Sequence, residues 1–275
     1  MLARKQLFPA GLGLAALATA TFLALPLIAI YTRVPIGRLV DQLSSRVVID
    51  ALVVSVKTTV IAQLLILLFG TPTAYLLATR RFRGRSLAIT LIELPLVLPP
   101  AVAGIGLLAA FGRVGMLGGA LTFLGWQVPF TQAAVVLAVA FVASPLYVRQ
   151  AIASFEAVDP TLVDASRTLG AGEARTFARI VLPLAAAGLA AGTALAFARG
   201  LGEFGATIMF AGSLQGRTQT LPLAIYAEFD SNFETALAIG GLLVAVSAVL
   251  LLSLKLGFRW KRSDSTSASR FAPSA

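Results

Sequence analysis

Six apolar blocks run through this 275-residue chain, and they restrict its fold more than any other feature. A helix rises about 1.5 Å per residue, so about 20 apolar residues cross the roughly 30 Å hydrocarbon core of a membrane. Strands of a membrane barrel would alternate apolar and polar residues, and these blocks do not. The sequence therefore predicts an all-α integral membrane protein. The six predicted spans are residues 9–31, 52–79, 87–111, 131–151, 183–210 and 236–258.

Composition agrees with a membrane protein and excludes several kinds of chemistry. The chain is 58% hydrophobic and only 12% charged, whereas roughly a quarter of the residues of a soluble domain are charged. It has no Cys and no His, which excludes disulfides, thiol chemistry, most zinc sites and a Ser-His catalytic pair. The pattern GxxxxGK[ST] is absent, so the chain does not bind ATP through a P-loop. We predict no catalytic residue, no metal site and no cofactor.

Basic residues set the predicted orientation, because they concentrate on one side of a six-span bundle. They precede the first span, connect the second and third, and follow the sixth: Arg4, Lys5; Arg80, Arg81, Arg83, Arg85; Lys255, Arg259, Lys261, Arg262. Such loops stay in the cytoplasm, so both termini are expected there. The net charge of +10 then has an explanation without a nucleic-acid partner. We expect a transmembrane domain over residues 1–262 and a disordered cytoplasmic tail over residues 263–275.

A polar segment separates the fourth and fifth spans on the same predicted side. Residues 159–183, here called the elbow, read DPTLVDASRTLGAGEARTFARIVLP. Asp159 and Pro160 are typical of a helix start, and Gly170 is typical of a helix stop in the left-handed conformation. A second short helix is expected to run through Ile180 to the next span. Four residues between these signals fall on one helical face: Leu162, Ala165, Ser166 and Leu169.

The mixed charge of the elbow favours a protein interface over a loop that only anchors topology. Its acidic residues are Asp159, Asp164 and Glu173, and its basic residues are Arg167, Arg175 and Arg179. An ordinary cytoplasmic loop helix fits the same residues, so the composition alone leaves both interpretations open.

Three prolines interrupt the third predicted span. Pro95, Pro99 and Pro100 each remove a backbone donor, and broken backbone within a membrane is tolerated where it faces protein or a watery cavity. These prolines therefore predict a bend that lines a translocation pathway beside a gate. The same three prolines are also compatible with a kinked helix that only packs against its neighbours and lines no pathway.

The stretch RGLGEFGAT, residues 199–207, places charge late in the fifth predicted span. Arg199 and Glu203 are four residues apart and can pair on one helical face. An ionisable residue near the middle of a membrane costs roughly 3 kcal/mol, so it should be paired or face water. We name Arg199, Glu203 and Thr207 as candidate pathway residues, and a structural ion pair near the outer interface is the alternative.

The spacing within the elbow resembles the cytoplasmic loop of ABC importer permeases. The family pattern is EAA, three residues, Gly, nine residues, Ile, one residue, Leu-Pro. It falls here on Asp164, Ala165, Ser166, Gly170, Ile180, Leu182 and Pro183. Asp164 stands for the family's Glu and Ser166 for its second Ala. The resemblance implies that these residues couple the elbow to an ATPase subunit, which holds the loop in a cleft.

Longer motifs resemble the membrane subunit of molybdate importers. They are LPLVLPPAVAG (94–104), RTLGAG (167–172), LAFARGLGEFGATIMFAG (195–212) and TLPLAIY (220–226). The resemblance implies a six-helix permease bundle of the ABC importer type in a bacterial inner membrane. It also implies a homodimer, two ATP-binding subunits, and an extracytoplasmic oxyanion-binding protein. The expected function is to translocate an oxyanion, most closely molybdate, by alternating access.

Other functions remain open at this point. Sulfate/thiosulfate and tungstate permeases share GEFG-type motifs, so either anion is an alternative cargo. A secondary anion transporter would need no ATPase, and Glu203 or Glu93 would then be its ion-coupling carboxylate. A membrane enzyme is disfavoured because the chain lacks His, Cys and paired carboxylates deep in its spans.

Overall fold

The computed structural model describes the backbone of residues 2–33 and 35–268 and the side chains of residues 11–33, 35–250 and 252–253. All regular elements within these ranges are helices, which confirms the all-α prediction. In chain order they are α1 (Leu2–Thr32), α2 (Ile36–Leu43), α3 (Arg46–Thr79), α4 (Arg85–Val97), α5 (Pro100–Phe111), α6 (Gly118–Phe123), α7 (Gln132–Glu156), α8 (Pro160–Thr168), α9 (Glu173–Thr176), a π-helical turn (Phe177–Val181), α10 (Leu182–Leu201), α11 (Gly205–Ala211), α12 (Leu221–Glu228) and α13 (Phe233–Ala268).

Helices long and apolar enough to cross a membrane occur at all six predicted positions. Five are single helices, and α4 with α5 forms a sixth span if the bent pair counts as one. The five are Gly11–Thr32, Arg46–Thr79, Gln132–Glu156, Glu173–Leu201 and Phe233–Leu250.

The third predicted span, residues 87–111, is not one helix. It bends by 116° between α4 and α5. The last bond of α4 runs from the Leu98 N–H to the Leu94 carbonyl, at 3.2 Å. Pro99 and Pro100 have no N–H to continue that ladder, and Pro100 instead occupies the first turn of α5. The predicted bend is therefore confirmed, and it is a complete break.

The fifth predicted span, residues 183–210, is also wrong as a single helix. α10 ends at Leu201, and α11 begins at Gly205 after a short non-helical stretch. Gly200, Gly202 and Gly205 allow close helix approach or local unwinding here, but glycines alone do not distinguish the two, so one span was predicted.

The elbow joins this span without a break, so the second short helix expected there continues directly into the span. α9, the π-helical turn and α10 follow one another directly. Within the turn, the Leu182 N–H bonds to the Phe177 carbonyl, at the wider π spacing. Pro183 has no N–H and would clash with the carbonyl of Arg179 in α geometry, so the wider turn accommodates it.

α13 continues to Ala268, and residues 269–275 lie outside the described residues. The disordered tail expected over residues 263–275 stays a prediction. The connections between the spans differ from expectation. The short helices α2, α6 and α12 lie in segments expected to be loops, because they span too few residues for a clear periodic signal.

α7 is the centre of the bundle and packs against α3 on one side and α10 on the other. Small residues permit this close packing: a Cβ on Gly200 would lie 2.7 Å from Val139, and one on Gly70 would lie 3.0 Å from Tyr147. The Tyr147 hydroxyl also lies 2.6 Å from the Thr71 hydroxyl, which links α7 to α3. This core positions the elbow at one end of the bundle and the two helix breaks within it.

Candidate functional site

The elbow begins with the predicted helix cap. Asp159 Oδ1 accepts the Thr161 backbone N–H at 2.9 Å and the Thr161 hydroxyl at 2.8 Å. These two bonds favour the charged carboxylate and lower the pKa of Asp159. Pro160 follows in the first turn, where no N–H is needed.

Gly170 ends the first arm of the elbow as predicted. Its φ is +81°, in the left-handed region that side chains rarely enter. The Gly170 N–H bonds to the Arg167 carbonyl at 2.9 Å, and the Ala171 N–H bonds to the Ser166 carbonyl at 3.0 Å. This pair of bonds is the Schellman arrangement, which closes the last turn of α8 and reverses the chain.

A buried pair of hydroxyls joins the two arms of the elbow. Ser166 Oγ lies 2.6 Å from Thr176 Oγ1, and both side chains are buried. Ser166 was named from its spacing, but Thr176 was not, because nothing in the sequence pairs it with a residue of the other arm. This contact fixes the angle between α8 and α9.

An apolar groove of about 310 Å³ follows the same face of the elbow. The four residues predicted to share a helical face all line it, which confirms that prediction. Ile180 completes the groove, while Arg175 and Arg179 stand at its edge. Leu169 is 87% exposed, and the Asp164 side chain is 74% exposed. The elbow therefore presents apolar surface with charges beside it to whatever docks there.

Ion pairs attach the elbow to the basic cluster between α3 and α4. Arg80 Nη2 lies 3.0 Å from Glu173 Oε1. Arg85 Nη2 lies 2.7 Å from Glu156 Oε1, and its Nε–H bonds to the Leu77 carbonyl at 2.6 Å. Arg85 thus ties the end of α3 to the end of α7. The predicted placement of the basic cluster and the elbow at one end of the bundle is confirmed.

The two helix breaks meet deeper in the bundle. A Cβ on Gly205, at the start of α11, would lie 2.7 Å from Pro100 Cβ at the start of α5. A Cβ on Gly104 would lie 2.6 Å from the Ala206 carbonyl oxygen. α5 and α11 therefore start side by side and run together, at a distance that only glycine permits.

Replacing Gly104 by Ala is expected to destabilise the protein by about 1–3 kcal/mol, because the new methyl group meets backbone that cannot move aside. Thermal unfolding of the purified protein in detergent would measure the effect. Gly106→Ala is the matched control, since it lies in the same helix with nothing within 4 Å of its added Cβ. Equal unfolding temperatures for the two variants would contradict the close packing of α5 and α11.

The predicted Arg199–Glu203 pair is present at the second break. Arg199 Nη1 lies 2.7 Å from Glu203 Oε2, although no guanidinium N–H points along that line. Glu203 Oε1 accepts the Ala206 N–H at 2.8 Å, so the carboxylate also holds the first turn of α11. Only 1% of the Glu203 side chain is exposed, against 34% for Arg199. A buried carboxylate thus depends on one neighbouring cation.

The remaining candidate pathway residues divide into two groups. Pro99 and Pro100 are exposed, Pro95 is partly buried, and α4 has no buried residue, with Val97 84% exposed. Glu203 and Thr207 are enclosed within the chain, and Thr207 has no exposed surface. A pathway role stays a prediction for all of them; the open side of the α4–α5 break is the part accessible in a single chain.

Comparison with known proteins places this arrangement in context. Residues 66–258 match the family model described as "Binding-protein-dependent transport system inner membrane component". The molybdenum transport system permease protein ModB of Mycobacterium bovis is 44% identical over 248 residues, which cover 88% of this chain and 91% of that protein. ModB of Escherichia coli K12 is 45% identical over 178 residues, covering 64% of this chain and 78% of that protein.

A solved structure shares the fold at low sequence identity. It is a bacterial alginate ABC transporter in complex with an alginate pentasaccharide-bound periplasmic protein. The TM-score is 0.65 at 17% identity, over 92% of this chain and 93% of that one. The overall fold of this chain is therefore one seen in a solved ABC transporter.

Proposed function

We propose that this chain, which belongs to the family of binding-protein-dependent transport system inner membrane components, imports molybdate across a bacterial inner membrane. It is the membrane-spanning permease subunit of an ABC transporter, and its role is transport rather than catalysis. The observation that carries the choice of cargo is the 44% identity to a molybdenum permease over 88% of the chain. Tungstate and sulfate, which are also tetrahedral dianions, are the competing cargoes.

The elbow is the proposed contact with the ATP-binding subunit. Its capped start, glycine stop and hydroxyl pair hold one fixed shape, and its groove offers apolar surface flanked by Arg175 and Arg179. When the ATP-binding subunit closes, a rigid elbow passes the movement to the membrane helices, whereas a mobile loop would absorb part of it by deforming. Two copies of the chain would present two elbows, and hence dock two ATP-binding subunits.

We place the elbow end in the cytoplasm, with both termini, because its basic cluster follows the positive-inside rule. The opposite end then receives the anion from an extracytoplasmic binding protein. That end carries Arg46 and Arg217 around a pocket that also contains Asp50. The solved alginate transporter was found with a periplasmic protein bound, which supports a partner of that kind.

The pathway is proposed to pass the α4–α5 break at the contact between two copies. Broken backbone is costly against lipid, so an exposed break needs protein or water beside it. Arg199, 34% exposed, supplies a positive charge near the second break. Alternating access then means that the ATP-bound partner favours one arrangement of these breaks over the other.

Uptake of labelled molybdate tests the function directly. The chain would be expressed with its ATP-binding subunit and binding protein in cells that lack their own molybdate importer. We expect ATP-dependent uptake that excess molybdate abolishes and sulfate reduces less. Equal competition by sulfate would overturn the choice of cargo. Undiminished uptake with an ATP-binding subunit unable to hydrolyse ATP would instead indicate a secondary transporter.

A further inference from the structure

The connection between α5 and α7 is unusually apolar for a segment at the end of a membrane bundle. Residues 112–130, here called the apolar connection, contain a single charged residue, Arg113. They lie at the end of the bundle opposite the elbow, because they precede the long helix α7 and the elbow follows it. Large apolar side chains stand almost free of other protein contacts: Val114 is 102% exposed, Met116 91%, Phe123 91%, Trp126 67% and Leu124 63%. Such a patch is unfavourable in water.

Much of the backbone of the apolar connection is hydrogen-bonded within the segment or to the end of α5. The Met116 and Leu117 N–H groups bond to the Ala109 and Ala110 carbonyls at 2.9 and 2.8 Å. The Trp126 N–H bonds to the Leu121 carbonyl at 2.8 Å. Further N–H groups of the segment bond within it in the same way: Gly115, Gly118, Leu121, Leu124 and Gly125. Backbone near hydrocarbon requires internal hydrogen bonds of this kind, because no water is there to replace them.

Glycines make this compact backbone possible. A Cβ on Gly115 would run into the Ala109 carbonyl oxygen, and one on Gly118 would run into the carbonyl oxygens of Gly112 and Arg113. The chain therefore folds back onto itself at distances closed to other residues. The apolar connection is therefore a compact segment, and its outer surface consists largely of apolar side chains.

We propose that the apolar connection is a membrane-interface anchor that inserts these side chains into the lipid leaflet at its end of the bundle. It joins two membrane-spanning elements, so it lies at the depth where headgroups meet acyl chains. Trp126 suits that zone because the indole ring is apolar with one polar N–H, and Arg113 can reach lipid phosphate. The other two connections at this end carry several charges, as expected of segments in water. Arg33, Arg38 and Asp41 lie between α1 and α3, and Arg217, Glu228 and Asp230 lie between α11 and α13.

Spin labelling can test this proposal cleanly because the chain has no Cys. A nitroxide would be attached to Met116→Cys or Phe123→Cys in the full chain reconstituted in lipid nanodiscs. Collision rates would be measured with oxygen, which concentrates in lipid, and with a water-soluble nickel chelate. Ser231→Cys is the control, since Ser231 is exposed in the charged connection at the same end. We expect a several-fold higher oxygen-to-nickel ratio at positions 116 and 123 than at position 231.

Two other results would overturn the proposal, and each has its own signature. Strong collision with the nickel chelate would place the segment in water, as for a surface awaiting a binding protein. Weak collision with both reagents would mean that protein covers it, for which a second copy of this chain is the candidate. These outcomes do not depend on which anion is transported, so they are separate from the test of the proposed function.

Tryptophan fluorescence gives a second measurement that leaves the apolar connection unaltered. The chain has two Trp residues, Trp126 and Trp260, so Trp260→Phe makes Trp126 the only emitter. We expect blue-shifted emission that nitroxide-labelled lipids quench and aqueous iodide does not. Emission near that of free Trp with efficient iodide quenching would contradict lipid insertion.

Discussion

Gly170→Val is expected to abolish molybdate uptake while leaving the protein in the membrane. Val in the left-handed conformation costs about 1–3 kcal/mol, and each ~1.4 kcal/mol lowers the population of the native turn about tenfold. Nothing lies within 4 Å of the added Cβ, so the effect comes from backbone strain and not from a clash. We expect the strain to be relieved by unwinding the end of α8, which bears Asp164 and Ser166 of the proposed partner contact. Uptake and co-purification of the ATP-binding subunit would both be measured.

Two variants in the same turn serve as controls. Gly172 also has open space around it, but its φ is −68°, so Gly172→Val should retain uptake. Gly170→Asn should retain most of it, because Asn tolerates the left-handed region better than other residues. Normal uptake by Gly170→Val at normal membrane abundance would remove the role of this turn in coupling. Equal loss in Gly172→Val would mean that the elbow rejects any side chain there.

Arg199→Met is expected to cause the largest loss of stability, about 3–5 kcal/mol, because it leaves the Glu203 carboxylate buried without its cation. Glu203→Gln should cost less. Gln keeps an oxygen for the Ala206 N–H, and Arg199 is exposed enough to be hydrated when its partner is neutral. Thermal unfolding in detergent and the amount of protein in the membrane would measure both effects.

The double variant distinguishes a true pair from two independent residues. Arg199→Met combined with Glu203→Gln should be more stable than Arg199→Met alone, since the uncompensated charge is gone. Losses that simply add would contradict the pairing. An Arg199→Met variant as stable as the unaltered chain would contradict the dependence of the Glu203 carboxylate on this cation.

The elbow could be predicted closely because its signals are local. A capping Asp, a first-turn Pro and a stop Gly each act through their own backbone, and all three behave as expected at Asp159, Pro160 and Gly170. The link between Ser166 and Thr176 could not be predicted. It depends on how two helices fold back on each other, and no periodic pattern records that angle.

The helix breaks show the opposite case, in which local signals are ambiguous. Three prolines marked the α4–α5 region, yet proline is compatible with a mild kink as well as with the observed 116° bend. The α10–α11 break carries no proline. It depends on Glu203 turning back to cap α11 and on Gly104 and Gly205 admitting the neighbouring backbone, and these are tertiary contacts.

The uninterrupted helix from Glu173 to Leu201 gives the protein a lever. Its 29 residues extend about 43 Å at about 1.5 Å per residue. One end bears the elbow, which is the proposed contact with the ATP-binding subunit, and the other ends beside Glu203 and the meeting point of α5 and α11. A tilt about the middle of such a rod moves its two tips in opposite directions by similar amounts. A displacement of the elbow would therefore move the other end of this helix, and α11 would slide along α5. The motion is carried by the rigid backbone of the helix and needs no rearrangement of side chains along it.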